Sequence, residues 1–326
     1  MSISPVFSQS NPELVMQIHN LYFQLYQEVK NTYNYDVYRL SSAYGQEILL
    51  SPDVLFRIGP YFGWRWIFLG TTIELKNLGV DNNSLKKEFT LSLYSAQIGV
   101  DLYYRRTGND YKIRKANFGS DDVNDKLKSV PFDGLNVGIT GFNVYYIFNH
   151  NRFSYPAAFS QSTCQKISCG SWMAGLGYTH HNLELDHEKL KRVVEETTNN
   201  EMQIDSSLMF NRLKYDDINV SVGYGYNWVF ARNWLLGASL SLALAYKWSS
   251  GDTNQPADDF SFKNFNLDGV GRIGVVWNNT KWYFGSNVIM HSYNYRKSRF
   301  AANNVFGSLN IYCGFNFGIK KSYRKK

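Results

Sequence analysis

Residues 218–230 read INVSVGYGYNWVF, and this stretch decides the fold. Every second position from 218 onward is a large apolar or aromatic residue, and the positions between them are Asn, Ser, Gly, Gly, Asn and Val. Successive side chains of a β-strand point to opposite faces of a sheet, so this pattern predicts a strand with one apolar face and one small, polar face. The predicted strand is much longer than the about five or six residues usual in globular sheets.

The next stretch repeats the pattern as WLLGASLSLALAYKW at 234–248, with aromatic residues near the ends of its apolar face and leucines in the middle. Residues 305–319 alternate in the same way at the end of the chain. Aromatic residues collect at both interfaces where a strand crosses a membrane, and aliphatic residues lie between them. The apolar face is therefore predicted to contact lipid, and the small, polar face to line a narrow lumen.

Similar segments recur along the chain, near 44–57, 61–76, 87–106, 111–117, 134–148, 152–160, 167–186, 214–229, 233–249, 264–277, 281–296 and 304–319. Tight turns at 231–233 and 278–280 contrast with a long polar loop at 250–263. Such asymmetry is typical of outer-membrane barrels, whose short turns face the periplasm. The sequence predicts an all-β fold, a closed antiparallel transmembrane β-barrel of about twelve strands. Ten strands is the alternative, because 111–117 and 152–160 are short.

Composition argues in the same direction. Aromatic residues make up 17% of the 326-residue chain although the mean hydropathy is −0.35, and no run of about 18 apolar residues occurs, so transmembrane helices are excluded. A soluble β-sandwich would place charge on its non-apolar faces, whereas here those faces carry mostly Gly, Ser, Ala and Asn. The net charge of +7 arises mainly at strand ends and in loops, so nucleic acid is not an expected partner.

The chain is divided into four segments on this basis. Residues 1–8 resemble the remnant of a signal peptide, and residues 9–43 are predicted to be a periplasmic N-terminal segment. Apolar residues at helical spacing within 12–30 predict a short N-terminal helix in that segment: Leu14, Ile18, Leu21, Leu25 and Val29. Residues 44–320 form the predicted barrel, and 321–326 form a basic tail.

Candidate chemical sites are sparse. The three cysteines lack metal-site spacing, and the adjacent His180 and His181 would point to opposite faces of a strand. No catalytic, metal or cofactor site is predicted. Arg65 and Asp101 fall on predicted lumen faces of nearby strands, where an isolated charge would be costly, so we expect them to pair.

The stretch FSYPAAF at 153–159 concentrates aromatic residues around a proline. Proline cannot donate a hydrogen bond to a β-ladder, so a bulge or inward kink near one rim is expected. Two interpretations remain open, a structural kink and a plug or gate built from Phe153, Tyr155, Pro156 and Phe159.

Several stretches resemble the domain of unknown function 4421 family of exported Bacteroidota proteins. They are YFGWRW at 61–66 with FLG at 68–70, GVDLYY at 99–104, FNHNRFSYPAAFSQ at 148–161, and QK at 165–166 with SCGS at 168–171. The resemblance covers most of the chain from about residue 45, and it implies a bacterial outer-membrane location. The family has no assigned activity, so the resemblance identifies no functional residue.

The expected function is an outer-membrane barrel that is structural, or that binds or passes a small molecule of unknown identity. The small residues of the lumen predict little or no conductance. A barrel enzyme acting on lipid or an envelope polymer is the second hypothesis, and a soluble β-rich binding protein is the third. The expected partners are outer-membrane lipid and the barrel assembly machinery, and no cofactor is expected.

Overall fold

The computed structural model describes residues 25–42, 44–64, 67–70, 73–74, 87–107, 110–119, 121–161, 163–199, 203–249, 264–297 and 300–317. These residues form sixteen strands of one antiparallel sheet. The strands are β1 Leu25–Ser42, β2 Glu47–Pro52, β3 Leu55–Trp64, β4 Ile67–Gly70, β5 Ile73–Glu74, β6 Lys87–Tyr94, β7 Ile98–Arg106, β8 Tyr111–Asn117, β9 Pro131–Phe132, β10 Leu135–Ile147, β11 Cys169–Leu185, β12 Arg212–Ala231, β13 Trp234–Ser249, β14 Phe265–Asn278, β15 Trp282–Lys297 and β16 Phe300–Phe317.

Three short helices accompany the sheet: α1 Asp121–Lys126, α2 Tyr155–Phe159 and α3 His187–Thr198. A 3-10 turn covers Ser206–Leu208. In the described part of the chain, no helix combines the length and the apolar character needed to span a membrane.

Long neighbouring strands pair in chain order from β10 through β16, and β16 then pairs with β1 along all of Leu25–Ser42. On its other side, β1 pairs with β3 over Tyr26–Asn34 and with β2 over Tyr38–Ser41. The remaining pairings join β3 to β4 and to β5, β4 to β6, β6 to β7, and β7 to β10. A side branch runs from β2 to β8 and on to β9.

The two faces of the sheet differ in polarity, as β12 shows. Ile218 and Val220 on its outer face are 55% and 57% exposed, whereas the intervening Asn219 on its inner face is 5% exposed. Leu176 on β11 and Leu240 on β13 lie on the same outer face and are also exposed. The alternation in the sequence therefore places apolar side chains outward and polar side chains inward.

Two clusters of buried apolar residues lie on the inner side, one toward each end of the sheet. The lower end is defined by the short turns at 232–233 and 279–281, and the upper end is opposite. The upper cluster joins β2, β8, β9, α1 and α3 to the upper parts of β1, β10, β11, β12, β15 and β16. The lower cluster joins α2 to residues of β6, β10, β11, β13, β14, β15 and β16. Each cluster thus draws residues from strands that are far apart in the pairing order.

The predicted N-terminal helix is wrong for the residues that can be compared. Residues 25–42 form β1, whereas 12–24 lie outside the described residues. The helical spacing of Leu25 and Val29 is overridden because β16 offers a complete antiparallel partner for this segment. The segment assigned to 9–43 therefore contributes a strand to the sheet.

Several predicted segments also differ from the structure, in their secondary structure, in their bounds or in their pairing. Residues 155–159 form α2 because Pro156 suits the first turn of a helix, where its missing N–H costs nothing. Segment 87–106 is two strands, β6 and β7, joined by a turn in which the Ser95 hydroxyl accepts hydrogen bonds from the backbone N–H groups of Gln97 and Ile98. Segment 111–117 is a strand, β8, but it pairs with β2 and β9 in the side branch.

Candidate functional site

A polar layer separates the two apolar clusters. It consists of inner-face side chains from the middle of β7, β10, β12, β13, β14 and β15, which surround a cavity. The volume in which the centre of a water molecule fits is about 70 Å³. Because one water needs roughly 10–15 Å³ on this measure, the cavity has room for several waters or a small solute. The polar residues of its wall include Asn143, Asn219, Ser221, Ser241 and Asp268.

Arg272 on β14 is the centre of the lower half of this layer. Its Nη2 donates to Oδ2 of Asp101 on β7 at 2.9 Å, and its Nη1 donates to the phenol oxygen of Tyr155 in α2. The Tyr94 hydroxyl donates to the other oxygen of Asp101 at 2.9 Å. A buried charge is tolerated when it is both paired and hydrogen-bonded, and these contacts meet that requirement. The same contacts tie α2 to the sheet.

Lys247 on β13 is the centre of the upper half. Its ammonium lies 2.7 Å from Asp268 Oδ2 and 3.9 Å from Asp217 Oδ2. It also lies 5.6 Å from the ring centroids of Tyr215 and Tyr293. The backbone N–H of Asn294 donates to Asp268 at 2.8 Å. The lysine is therefore held between two carboxylates and two aromatic faces.

Four polar atoms on cavity-lining side chains have no hydrogen-bond partner among the described residues: the Tyr145 hydroxyl, Asp268 Oδ2, Arg272 Nε and His291 Nδ1. Asp268 Oδ2 nevertheless lies 2.7 Å from the Lys247 ammonium. Arg272 Nε is a donor, the phenol both donates and accepts, and the imidazole nitrogen does either according to its tautomer. Buried polar atoms are normally satisfied by protein or by ordered water. These atoms have almost no accessible surface, so they are packed within the wall and are not exposed to a molecule in the cavity.

Asp101 lies on the inner face of the sheet, where its cationic partner is Arg272. Arg65 lies outside the described residues, so its pairing with Asp101 stays a prediction. Arg272 and Lys247 were missed, although both interrupt the small, polar face, Arg272 in the middle of β14 and Lys247 near the end of β13. A charge at such a position was the available signal for an interior ion pair.

The segment around Pro156 lies in the lower cluster. Phe153 and Tyr155 are buried there, Pro156 lies in the first turn of α2, and Phe159 packs against the cluster. Asn227 Nδ2 donates to the Ser154 carbonyl and to Gln165 Oε1, both at 2.8 Å. The segment thus fills the lower end of the inner side, and whether it moves as a gate stays a prediction.

Gln165 and Gln161 complete the anchoring of this segment. Gln165 Oε1 also accepts from the Ser154 N–H at 2.8 Å, and Gln161 Nε2 donates to the Tyr312 hydroxyl on β16 at 2.7 Å. Side-chain amides therefore hold both flanks of α2 against the wall.

His180 and His181 point to opposite faces, as their spacing requires. His180 Nδ1 lies 2.7 Å from Asp216 Oδ1, whereas His181 is buried and stacks on Tyr215 with ring centroids 4.4 Å apart. In the part of the chain that the structure covers, no group of three or more His, Cys, Asp or Glu is arranged to hold a metal ion. Cys164, Cys169 and Cys313 are free thiols.

Comparison with known proteins gives a family and a set of distant structures. The family model described as "Domain of unknown function (DUF4421)" matches residues 17–317. No curated protein matches the chain.

Similar solved structures include the toluene transporter TodX of Pseudomonas putida, at 9% identity over 94% of this chain and 92% of that chain, with a TM-score of 0.30. The transport unit of the autotransporter AIDA-I from Escherichia coli is 9% identical over 94% of this chain and 97% of that chain, with a TM-score of 0.32. A loop-deletion mutant of the outer membrane protein OmpT of Vibrio cholerae is 9% identical over 89% of this chain and 99% of that chain, with a TM-score of 0.24. Scores this low carry no argument about function.

Proposed function

The chain belongs to the domain of unknown function 4421 family, and we propose that it is a closed, non-conducting β-barrel of the bacterial outer membrane that holds a small molecule in its polar cavity. The observation that carries the proposal is the polarity of the sheet, which is apolar and exposed outside and polar inside. A soluble protein has the opposite arrangement, because exposing a broad apolar surface to water is unfavourable.

Support for closure comes from β1, which pairs with β16 on one side and with β3 on the other. Counting each strand of that circuit once (β1, β3, β4, β6, β7 and β10–β16) gives a wall of twelve strands. Closure gives every wall strand a hydrogen-bonded neighbour on both sides, and the interior of a bilayer demands such pairing of backbone groups. An even strand number is usual for bacterial barrels and puts both ends of the chain on the same side.

The height of the apolar outer face agrees with a membrane span. On β12 it extends from Ile218 to Phe230, and all seven outer-face residues over this range are at least 43% exposed. With about 3.3 Å per residue and a strand tilt of about 40°, this range rises by about 30 Å. Apolar bands of outer-membrane barrels are about 25 Å tall, so β12 is long enough to cross.

The absence of conductance is inferred from the two apolar clusters. Residues from strands on opposite sides of the proposed circuit meet in the upper cluster, and the same is true of the lower cluster. Water and ions are disfavoured in such packed apolar regions. On this proposal the polar layer lies between two packed apolar regions.

The enzyme hypothesis gains no support from the described side chains. Nucleophilic catalysis needs a serine, cysteine or threonine activated by a base such as histidine. Among the described residues, none of the hydrogen bonds made by histidine has a serine, cysteine or threonine as partner. Ligand binding is therefore the function that the geometry favours.

The proposal is tested on the detergent-folded protein. We expect a heat-modifiable shift on a gel, insolubility without detergent, and no steady current in planar bilayers. A heat-unfolded sample provides the control. Solubility without detergent together with the lack of a gel shift would contradict the barrel, whereas a steady ohmic current would contradict only its closed state.

A second candidate function, gating by α2, rests on how that helix is held. The segment containing Phe153, Tyr155, Pro156 and Phe159 is fixed to the wall by side-chain hydrogen bonds rather than by a β-ladder. Elements with few backbone ties open at low free energy. We expect amides at 153–160 to exchange hydrogen faster than those of β10 at 135–139, and equal protection of the two segments would argue against a gate.

A further inference from the structure

The charged side chains in the connections at the lower end of the sheet all have the same sign. The connections described there are 95–97, 148–161, 163–168, 232–233 and 279–281. Their charged residues are all basic and exposed: Arg152, Lys166, Arg232 and Lys281. At the upper end both signs occur, and Lys189 of α3 lies 2.5 Å from Asp133. The lower cations have no carboxylate within these connections to neutralise them.

Arg232 and Lys281 lie on two turns that are joined to each other. The Asn278 N–H donates to the Asn233 carbonyl at 2.9 Å, which ties the turn after β14 to the turn after β12. The Asn279 side chain also accepts from the backbone N–H of Lys281 at 3.0 Å. These bonds fix the backbone that carries the two cations, so less conformational entropy is lost when an anion binds between them.

Both cations are next to the lower edge of the apolar outer face. Arg232 follows two residues after Phe230, which is 45% exposed on that face of β12. Lys281 directly precedes the exposed Trp282, and its ammonium lies 5.6 Å from the ring centroid of Phe315 on β16. The short turns of outer-membrane barrels face the periplasm, and exposed aromatic residues mark the membrane interface. In the proposed barrel, the two cations therefore lie at the depth of the headgroups of the periplasmic leaflet.

The outer surface that adjoins these turns is aromatic. The ring of Trp234 packs against Phe230 with centroids 6.0 Å apart and against Phe284 with centroids 5.5 Å apart. Such rings lie at the headgroup level of a membrane, where one side contacts hydrocarbon and the other contacts polar groups. A lipid whose phosphate contacts the two cations would place its glycerol and the first part of its acyl chains against these rings.

We propose that Arg232 and Lys281 form a binding site for the phosphate of an anionic phospholipid in the periplasmic leaflet. The inference rests on the membrane location in the proposed function, but it concerns a different surface from the cavity. Arginine binds phosphate through two parallel hydrogen bonds, and lysine attracts it as a point charge. An acidic periplasmic protein matches the charge but not the continuous path from the cations onto the lipid-facing rings. A zwitterionic lipid offsets its phosphate with its own ammonium, so it is bound less well.

The test uses the folded barrel in detergent, incubated with equimolar phosphatidylglycerol and phosphatidylcholine that have the same acyl chains. Native mass spectrometry measures the ratio of the two lipids in protein that retains one lipid. We expect phosphatidylglycerol to be favoured at least about fivefold, the factor that corresponds to one basic residue at a membrane surface. The preference should fall as the salt concentration rises. Equal retention of the two lipids overturns the proposal and leaves the basic turns to an acidic periplasmic partner.

Two double variants locate the site. Arg232→Gln with Lys281→Gln removes both cations and should lower the ratio to about one. The control is Lys115→Gln with Lys128→Gln, which removes the same charge from exposed positions in the upper part of the molecule and should leave the ratio unchanged. An unchanged ratio in the first variant, or an equal loss in the control, overturns the proposed site.

Inorganic phosphate distinguishes a lipid site from a site for any phosphate. Millimolar phosphate should not displace phosphatidylglycerol, because it lacks the acyl chains that contact the rings. Complete displacement would assign the turns to free phosphate and overturn the lipid as the ligand. Heat-modifiable migration is measured on the same samples. A folded barrel without a lipid preference refutes this inference alone, whereas failure of the barrel itself appears as the loss of the gel shift before any lipid is added.

Discussion

The upper and lower clusters fill the two ends of the inner side by different means. The upper cluster contains 24 buried apolar residues and includes the strands β2, β8 and β9. The lower cluster contains 11, and its inserted element is the five-residue helix α2. Buried apolar area is the main stabilising contribution, so the upper cluster is the more stable of the two.

The two clusters also differ in the contacts that hold their inserted elements, β2, β8 and β9 above and α2 below. The upper insertion continues the sheet, because β2 pairs with β1 and then with β8. The lower insertion is fixed by side chains, chiefly those of Asn227, Gln165 and Arg272. For the proposed barrel, this difference predicts a permanent closure above and a closure below that individual side chains control.

The largest expected effect follows from truncating the upper cluster. Phe132 on β9 has no exposed surface, and Phe132→Ala should cost about 3–5 kcal/mol through lost contacts and a cavity. Leu176→Ala on the outer face, where Leu176 is 64% exposed to its surroundings, should cost about 1 kcal/mol or less. Urea midpoints of the folded band on a gel measure both, and equal midpoints would contradict the proposed packing.

The second-largest effect is expected from breaking a buried ion pair next to the lower cluster. Asp101→Asn removes the charge that orients Arg272 toward Tyr155, so the lower cluster should loosen. Cys164 reports this loosening, because burial raises the pKa of its thiol to about 12 and it lies between Thr163 and Gln165, which both bond Ser154. With Cys169 and Cys313 replaced by serine, maleimide labelling of Cys164 should accelerate at least about tenfold, equivalent to about 1.4 kcal/mol.

A matched pair in the upper part provides the control for this experiment. Arg105 Nη2 lies 3.1 Å from Asp36, which also accepts a hydrogen bond from the Tyr111 hydroxyl at 2.7 Å. Asp36→Asn should weaken the upper part and leave the labelling of Cys164 unchanged. Equal acceleration by both variants would mean that the two ends open together.

A smaller effect is expected from the amide that anchors α2. Asn227 is fully buried and donates to Ser154 and Gln165. Asn227→Ala removes a donor from both acceptors, although Gln165 Oε1 keeps its bond from the Ser154 N–H, and should cost about 1–3 kcal/mol. Labelling of Cys164 should rise, whereas Asn310→Ala, a buried amide that bonds Thr32 and Asn287 on the wall, should not change it. Identical labelling in the two variants would contradict the anchoring role of Asn227.

The sequence predicted the long strands well because alternation is a local property. In β12 and β13 the polarity of each residue indicates on which face of the sheet its side chain lies, so the assignment needs no knowledge of a distant partner strand. The segment at 25–42 was missed because Leu25 and Val29 fit helical spacing, and only the partner β16 resolves the ambiguity.

The cavity was predictable only in part. The alternation of side chains along each strand places Asp101 and Arg272 on the inner face. They are, however, 171 positions apart and lie on β7 and β14, which are not neighbours. Their contact depends on the path of the sheet around the interior, which local patterns do not encode. The upper cluster was missed for a similar reason, since Val123, Leu127, Leu190 and Val194 lie in segments too short or too polar to be recognised as core.

The smallest expected effect concerns the exposed rim of the upper part. Lys112 and Arg114 donate to Asp53 at 2.6 and 2.7 Å, and these contacts lower the pKa of that carboxyl from 3.8 to about 2. A lowered pKa stabilises the fold above pH 3.8, and the contribution is lost as the pH falls toward 2. Because Asp53 is half exposed, Asp53→Asn should cost no more than about 1 kcal/mol at pH 6, and less in 1 M salt. Urea midpoints of the two proteins should converge near pH 2, and a difference that persists there or grows with salt would show that Asp53 acts through packing rather than through its charge.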